Sequence, residues 1–226
     1  MALLLVRHGQ ASFGSADYDN LSERGGEQCA RLGAWLGRSG LGYARVVIGA
    51  MRRHRQSFDA LAGAYGSALP TPEVDAGLDE FDHRSVIETY MATCPDHPDV
   101  RALAAARTDP RAVLGMIRQA LGLWSRGELD GVTETWHDFQ DRVRAAGQRL
   151  RAVAQDGPVL VVTSGGVISQ LVQAAMEAPD HRAIELNLAI RNSALTEITP
   201  DPAGLRLLSW NALPHLADAR DLWTHF

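Results

Sequence analysis

The stretch Pro158-Val159-Leu160-Val161-Val162-Thr163-Ser164-Gly165-Gly166-Val167-Ile168 decides the fold. Its first half is an unbroken apolar run, as in a strand buried on both faces. Two glycines follow, and Val167–Met176 then takes up helical spacing. A buried strand feeding directly into a helix is the repeating unit of an α/β fold with a parallel sheet. Working outward, Ala2–Val6 and Arg45–Ile48 are further short apolar runs and read as strands, with Glu73–Val74 a short third. Between them Ser22 starts a helix, with Asp19–Ser22 as cap residues. Cys29, Leu32, Trp35 and Leu36 repeat at helical spacing, and Gly40 and Gly42 end it. A second helix runs from Arg52 to about Tyr65, with Phe58, Leu61 and Ala62 inward. Ala194–Ile198 and Leu205–Trp210 read as the last strands, joined through Pro200-Asp201-Pro202-Ala203-Gly204. Residues from about Val86 to Gln155 hold several helices and no convincing strand. Pro95, Pro98 and Pro110 punctuate this region, and a long amphipathic helix, about Thr133 to Ala154, closes it. The expectation is one domain, residues 1–226. It is a three-layer α/β/α fold with a mostly parallel central sheet and a helical insertion, about 86–155, over the active site.

Composition narrows the function. The 226 residues suit one domain or one core with an insertion. An apolar content of 46% with 22% charged residues is that of an ordered globular protein. A formal net charge of −5 and a pI near 5.9 point to neither a nucleic-acid nor a membrane partner. Cys29 and Cys94 form no CxxC pair and no Cys/His cluster with metal-ligand spacing, so reduced thiols and a cytoplasmic location are expected. Cys29, on a helix, is expected to be a small core residue. Met1–Val6 lacks a basic n-region and a cleavage site, which makes it a strand rather than a signal peptide. Trp124, Trp136 and Phe139 are read as core rather than pocket lining.

In open α/β sheets, ligands bind beyond the carboxyl ends of the strands. Three such ends carry unusual residues: Arg7-His8-Gly9, Gly49-Ala50-Met51-Arg52-Arg53, and Thr163-Ser164-Gly165-Gly166. An arginine offers a planar donor fork that matches a phosphate, a neutral imidazole is a nucleophile, and Gly9 lets the backbone approach a ligand closely. Read alone, this tripeptide is equally a surface arginine beside a strand-end histidine. Arg52-Arg53-His54-Arg55 puts cations at a helix start, against the macrodipole, a conflict that a bound anion relieves. Ser164-Gly165-Gly166 suits anion binding by backbone N–H groups, or a tight turn needing φ > 0. Glu80, beside Asp82 and His83, is a carboxyl that can protonate a leaving alcohol.

Taken in order, these segments resemble the histidine phosphatase superfamily, the phosphoglycerate mutase-like proteins. The resemblance rests on Leu5-Val6-Arg7-His8-Gly9-Gln10, on Leu21-Ser22-Glu23-Arg24-Gly25-Gly26-Glu27-Gln28 (family Leu-Thr-x-x-Gly-x-x-Gln), and on Gly49-Ala50-Met51-Arg52-Arg53-His54-Arg55-Gln56-Ser57 (family Ser-Pro-Leu-x-Arg-Ala-x-Gln-Thr). Leu78-Asp79-Glu80, Val161–Ile168, Asn192 and Trp210–Leu216 continue it, so that it spans Leu5 to Leu216. The resemblance implies that His8 becomes phosphohistidine, that Arg7 and Arg53 clamp the phosphoryl oxygens, and that Glu80 is the general acid. It implies neither metal nor other cofactor. Gly9, Gln10, Ser164, Gly165 and His83 complete the expected phosphate and substrate contacts.

The chain departs from the family pattern in three ways. Ser164 stands where the family has a second histidine, Gly49-Ala50 replaces Ser-Pro, and Phe13 replaces a polar residue. His83, three residues after Glu80, is expected to compensate for Ser164, with His54 the weaker candidate. The leading reading is a phosphomonoesterase acting on a small phosphorylated molecule through a phosphohistidine. A catalytically weak phosphate-ligand binder or regulator, and a mutase-type phosphotransferase, are the alternatives. Oligomeric state is open, with a homodimer among the options.

Overall fold

The computed structural model describes residues 2–12, 19–98, 100–101, 110–202 and 204–225; Phe13 and Gly14 lie outside them. Six strands form one mixed sheet: β1 (Leu3–Arg7), β2 (Arg45–Ile48), β3 (Glu73–Val74), β4 (Val159–Thr163), β5 (Leu195–Asp201) and β6 (Gly204–Ala212). Their order is β3-β2-β4-β1-β5-β6. β3, β2, β4 and β1 run parallel, while β5 and β6 add an antiparallel margin. Among the described residues there are seven α-helices: α1 (Glu23–Arg38), α2 (Arg52–Ala64), α3 (His83–Thr93), α4 (Pro110–Ser125), α5 (Trp136–Val153), α6 (Gly165–Ala175) and α7 (Asp180–Ala189).

The central strands are apolar throughout because both faces are covered, and alternate residues face opposite ways. Leu3, Leu5, Val159 and Val161 join the core formed with Phe139, Val143, Ala146 and Leu150 of α5 and Val167, Ile168 and Leu171 of α6. Val6, Leu160, Val162 and Ile48 turn the other way, onto Leu32 and Leu36 of α1 and Phe58 and Leu61 of α2. α5, read from sequence as the end of a pocket-covering insertion, thus has its buried face in the main core. Trp124, Trp136 and Phe139 are buried there too, with Phe81 and Trp124 ring centroids 4.6 Å apart. Cys29 is fully buried, as read.

Register positions the site. β4 lies between β1 and β2, pairing Arg7 with Thr163 and Ile48 with Val162. The ladder runs one step past the strands, through His8 N–H to Thr163 O (2.9 Å) and Gly49 N–H to Val162 O (3.1 Å). The carboxyl ends of β1, β2 and β4 therefore finish side by side, which brings the three singled-out segments to one edge.

Candidate active site

His8 follows β1 and is 5% exposed. Its Nδ1 lies 2.7 Å from Gly9 O. A carbonyl only accepts, so Nδ1 carries the proton and Nε2 keeps its lone pair. Burial, then Arg53, Arg7 and His54, hold the imidazole pKa well below its ordinary 6.5. Each effect disfavours the cation, and the ring is neutral at pH 7. Its backbone is fixed from two sides, because His8 O accepts from Ser193 N–H (3.2 Å) and Asn192 Nδ2 (3.5 Å).

Gly9 packs against the α1 backbone. A Cβ there would lie 2.3 Å from Gly25 O. Its N–H donates to Ser57 Oγ (3.1 Å). Gln10 is part of the same seam: its N–H donates to Gln28 Oε1 (2.9 Å), and its Oε1 accepts from the cap residue Ser22 (3.3 Å).

The Arg7 Nη1 donates to Ile190 O (2.6 Å). Arg53, in the first turn of α2 and 4% exposed, donates to Asp19 Oδ1 (2.9 Å). The anions at the start of α2 come from the chain itself. Asp19 Oδ2 accepts from Arg52 N–H (2.8 Å), and Asp79 Oδ1 accepts from Ala50 N–H (2.6 Å) and Met51 N–H (3.3 Å). Carboxylates at a helix N-terminus meet both its free N–H groups and its dipole.

Glu80 reaches the start of α6, where its Oε2 accepts from Gly166 N–H (3.1 Å). Gly166 is needed for room and not for a positive φ, since a Cβ there would fall 2.1 Å from Glu80 Oε1. Gly165 backs onto Arg7, whose Nε lies 3.3 Å from the position of a Cβ on residue 165.

The surroundings of Ser164 differ from expectation. The side chain that meets it is His54, whose Nε2 lies 2.7 Å from Ser164 Oγ, with both residues fully buried. The His54 ring centroid is 5.8 Å from that of His8, and its Nδ1 is 3.7 Å from Asp79 Oδ1. His83, the residue expected beside Ser164, is the half-buried first residue of α3. There Glu80 and Arg53 act on its charge, after burial, which lowers its pKa. The signal in the sequence is a histidine at position 54 where the family pattern has alanine, set in the basic run Arg52-Arg53-His54-Arg55 that otherwise reads as a solvated face.

The sequence model of the histidine phosphatase superfamily (branch 1) matches residues 3–213, and the chain belongs to that superfamily. Solved structures share its fold. A phosphoglycerate mutase from Bacillus anthracis is 18% identical, with a TM-score of 0.70 over 96% of this chain and 95% of that one. A putative alpha-ribazole-5'-P phosphatase from Escherichia coli is 18% identical (TM-score 0.64, 94% and 96%). A mycobacterial glucosyl-3-phosphoglycerate phosphatase is 21% identical (TM-score 0.62, 93% and 98%). No curated protein matches the chain by sequence. The fold and family support a phosphatase or mutase-type activity. No helix among the described residues is long and apolar enough to cross a membrane.

Proposed function

We propose that the protein is a phosphomonoesterase that acts on a small phosphorylated molecule through a phosphohistidine on His8. One observation carries this reading: the Nδ1 contact to Gly9 O leaves a buried, neutral His8 with the lone pair on Nε2, and the charges of Arg53 and Arg7 act on that ring. In the proposed reaction Nε2 attacks phosphorus and the ester P–O bond breaks. Arg7 and Arg53 hold the phosphoryl oxygens, and Glu80 gives its proton to the leaving alcohol. Water, deprotonated by Glu80, then attacks the phosphohistidine, releasing phosphate and restoring both groups. Such a transfer needs positioning and charge neutralisation above all, and two arginines supply these in place of a metal ion. A cytoplasmic location fits the two free cysteines, and a small phosphorylated substrate, with neither nucleic acid nor membrane as partner, fits the acidic composition.

The test is turnover of p-nitrophenyl phosphate by wild type and His8→Ala, with acid-quenched trapping of a phosphoenzyme. Wild-type turnover with an acid-labile, base-stable phosphoenzyme, both lost in His8→Ala, is expected. Equal, background rates in the two proteins overturn the enzyme reading in favour of a phosphate-ligand binder. Transfer to a monophosphoglycerate in preference to water overturns the hydrolase in favour of a mutase.

A further inference from the structure

Among the described residues, a chain of polar groups beside the proposed phosphoryl site has no part in the mechanism above: half-buried Asp79, then the fully buried His54 and Ser164. It ends at the first departure from the family pattern, Ser164, and packs against the second, Gly49. Ser164 brings a hydroxyl where the family has an imidazole. His54 brings an imidazole where the family has alanine. Gly49, where the family has serine, makes this exchange sterically feasible, since a Cβ on residue 49 would lie 2.1 Å from His54 Nδ1 and 2.6 Å from Cε1. Three separate differences in sequence are thus one rearrangement in space.

We propose that Ser164 and His54 together supply the second proton donor to the phosphoryl group, with His54 the positioning residue behind the Ser164 hydroxyl. The proposal rests on the reading of this site as phosphoryl-binding. With no phosphoryl group bound, the single ring proton of a neutral His54 sits on Nδ1, which faces the Asp79 carboxylate across 3.7 Å, beyond hydrogen-bond length. Nε2 then accepts from the Ser164 hydroxyl, whose proton is aimed away from the ligand. A phosphoryl dianion reverses this arrangement. Nε2 takes one proton from bulk water, Nε2–H now donates to Ser164 Oγ, and the freed hydroxyl proton turns to a phosphoryl oxygen. No covalent bond changes between heavy atoms, and the proton returns to water when phosphate leaves.

The charged groups around His54 make the switch ligand-dependent. Burial and Arg53 oppose its cation, while Asp79 and Glu80 favour it. His8 faces it and is itself neutral. The balance lies with the neutral ring, and a dianion moves it towards the cation. A hydroxyl backed by an imidazolium is a charge-assisted donor, stronger than the lone serine that the sequence presents.

The test is 15N NMR of the histidine rings at pH 7.5 with inorganic tungstate, a tetrahedral dianion that takes up no proton there. His54→Gln identifies the His54 signals. On saturation both His54 nitrogens are expected to move from the neutral to the imidazolium pattern. A His54 that stays neutral with tungstate bound overturns the proposal. In kinetics, His54→Ala and Ser164→Ala each lower kcat/KM on p-nitrophenyl phosphate by about ten- to a hundredfold. The exchange variant His54→Ala/Ser164→His, which puts the imidazole back at the end of β4, recovers most of the His54→Ala loss. A folded, tungstate-binding exchange variant no more active than His54→Ala overturns the proposal. Wild type that binds no tungstate overturns both the proposal and the phosphate-site reading. His8→Ala with undiminished turnover overturns the phosphohistidine alone, and the NMR titration then decides the role of His54.

Discussion

Gly49→Ala measures how firmly His54 is held in the site. The added methyl group would lie 2.1 Å from Nδ1 and 2.6 Å from Cε1 of a ring with no exposed surface, and 2.8 Å from Asp79 Oδ1. The ring cannot yield without leaving Ser164 Oγ, 2.7 Å away. Stranding those two buried groups costs about 1–3 kcal/mol, and overpacking adds about 1–3 kcal/mol. A central total of about 4 kcal/mol, at about 2–4 °C per kcal/mol for a chain of this size, lowers Tm by roughly 8–16 °C. In a His54→Ala background that obstacle is gone, and of the three atoms nearest the methyl the Asp79 oxygen, on a half-buried side chain, is left. The same methyl should then cost less than about 1 kcal/mol, which makes the coupling about 3 kcal/mol, at the high end for contacting pairs. Urea unfolding of wild type, the two single variants and the double variant completes the cycle. Penalties of Gly49→Ala that agree within about 0.5 kcal/mol in the two backgrounds would show that Gly49 does not make room for His54, and the linked-exchange argument would fall.

Three further outcomes are expected. Burial, with a smaller contribution from Arg31, lowers His215 from 6.5 to about 4, so between those values the unfolded chain binds the extra proton. Its contribution is full above pH 6.5 and disappears as pH falls towards 4, on the order of 3 kcal/mol in all; urea unfolding at pH 7 and 5 should show the fall, and a His215→Gln variant with an unchanged pH slope would refute it. Glu80→Gln should slow hydrolysis of an alkyl phosphate by about 10²–10⁴-fold and of p-nitrophenyl phosphate, whose leaving group needs little protonation, far less; equal losses on both substrates count against Glu80 as the acid. Burial raises the Cys29 thiol to about 11 while Cys94 is partly exposed, so Ellman's reagent at pH 8 should titrate one thiol in the native protein and a second only in urea.

The parallel core was legible because β1, β2 and β4 are buried on both faces and leave an unbroken apolar signature, and because Ser22 is a true cap, accepting from Gly25 N–H (3.1 Å). α7 escaped notice for the opposite reason. It follows Pro179 with no side-chain cap and buries only Ala183 and Ile184, so it carries neither a strong start signal nor a clear apolar stripe. β5 and β6 run longer than their apolar cores because the margin of the sheet is half exposed and tolerates Glu197, Arg206 and Ser209. In the site, residues fixed by the chain direction of β1 and β4 were readable from position alone. The carboxylates Asp19 and Asp79 were not, because both act across more than twenty-five residues of sequence on the start of α2. Gly9 and Gly166 stand out in the sequence as glycines, but the neighbouring backbone and carboxylate that leave no room for a Cβ at either position come from distant parts of the chain.

The position of His54 gives its charge a different character from that of a histidine at the end of β4. It sits in the first turn of α2, where the helix dipole opposes a cation, and it has Arg53 as its chain neighbour. A ring in that place is neutral at rest for three reasons that act together: burial, dipole and arginine. Only Asp79 and Glu80 pull the other way. Such a group cannot serve as a permanent positive charge for drawing in phosphate; Arg7 and Arg53 must do that. It becomes a cation after the dianion has arrived, when its proton is useful to Ser164 and not before. A site built this way should bind phosphate with net proton uptake, and the uptake should vanish when Ser164 becomes alanine only to the extent that the hydroxyl transmits the charge. Calorimetry of tungstate binding to wild type, Ser164→Ala and His54→Gln in buffers of different ionisation enthalpy separates the two contributions. Proton uptake unchanged in His54→Gln would assign the titration to another group and return Ser164 to the role of an uncharged donor.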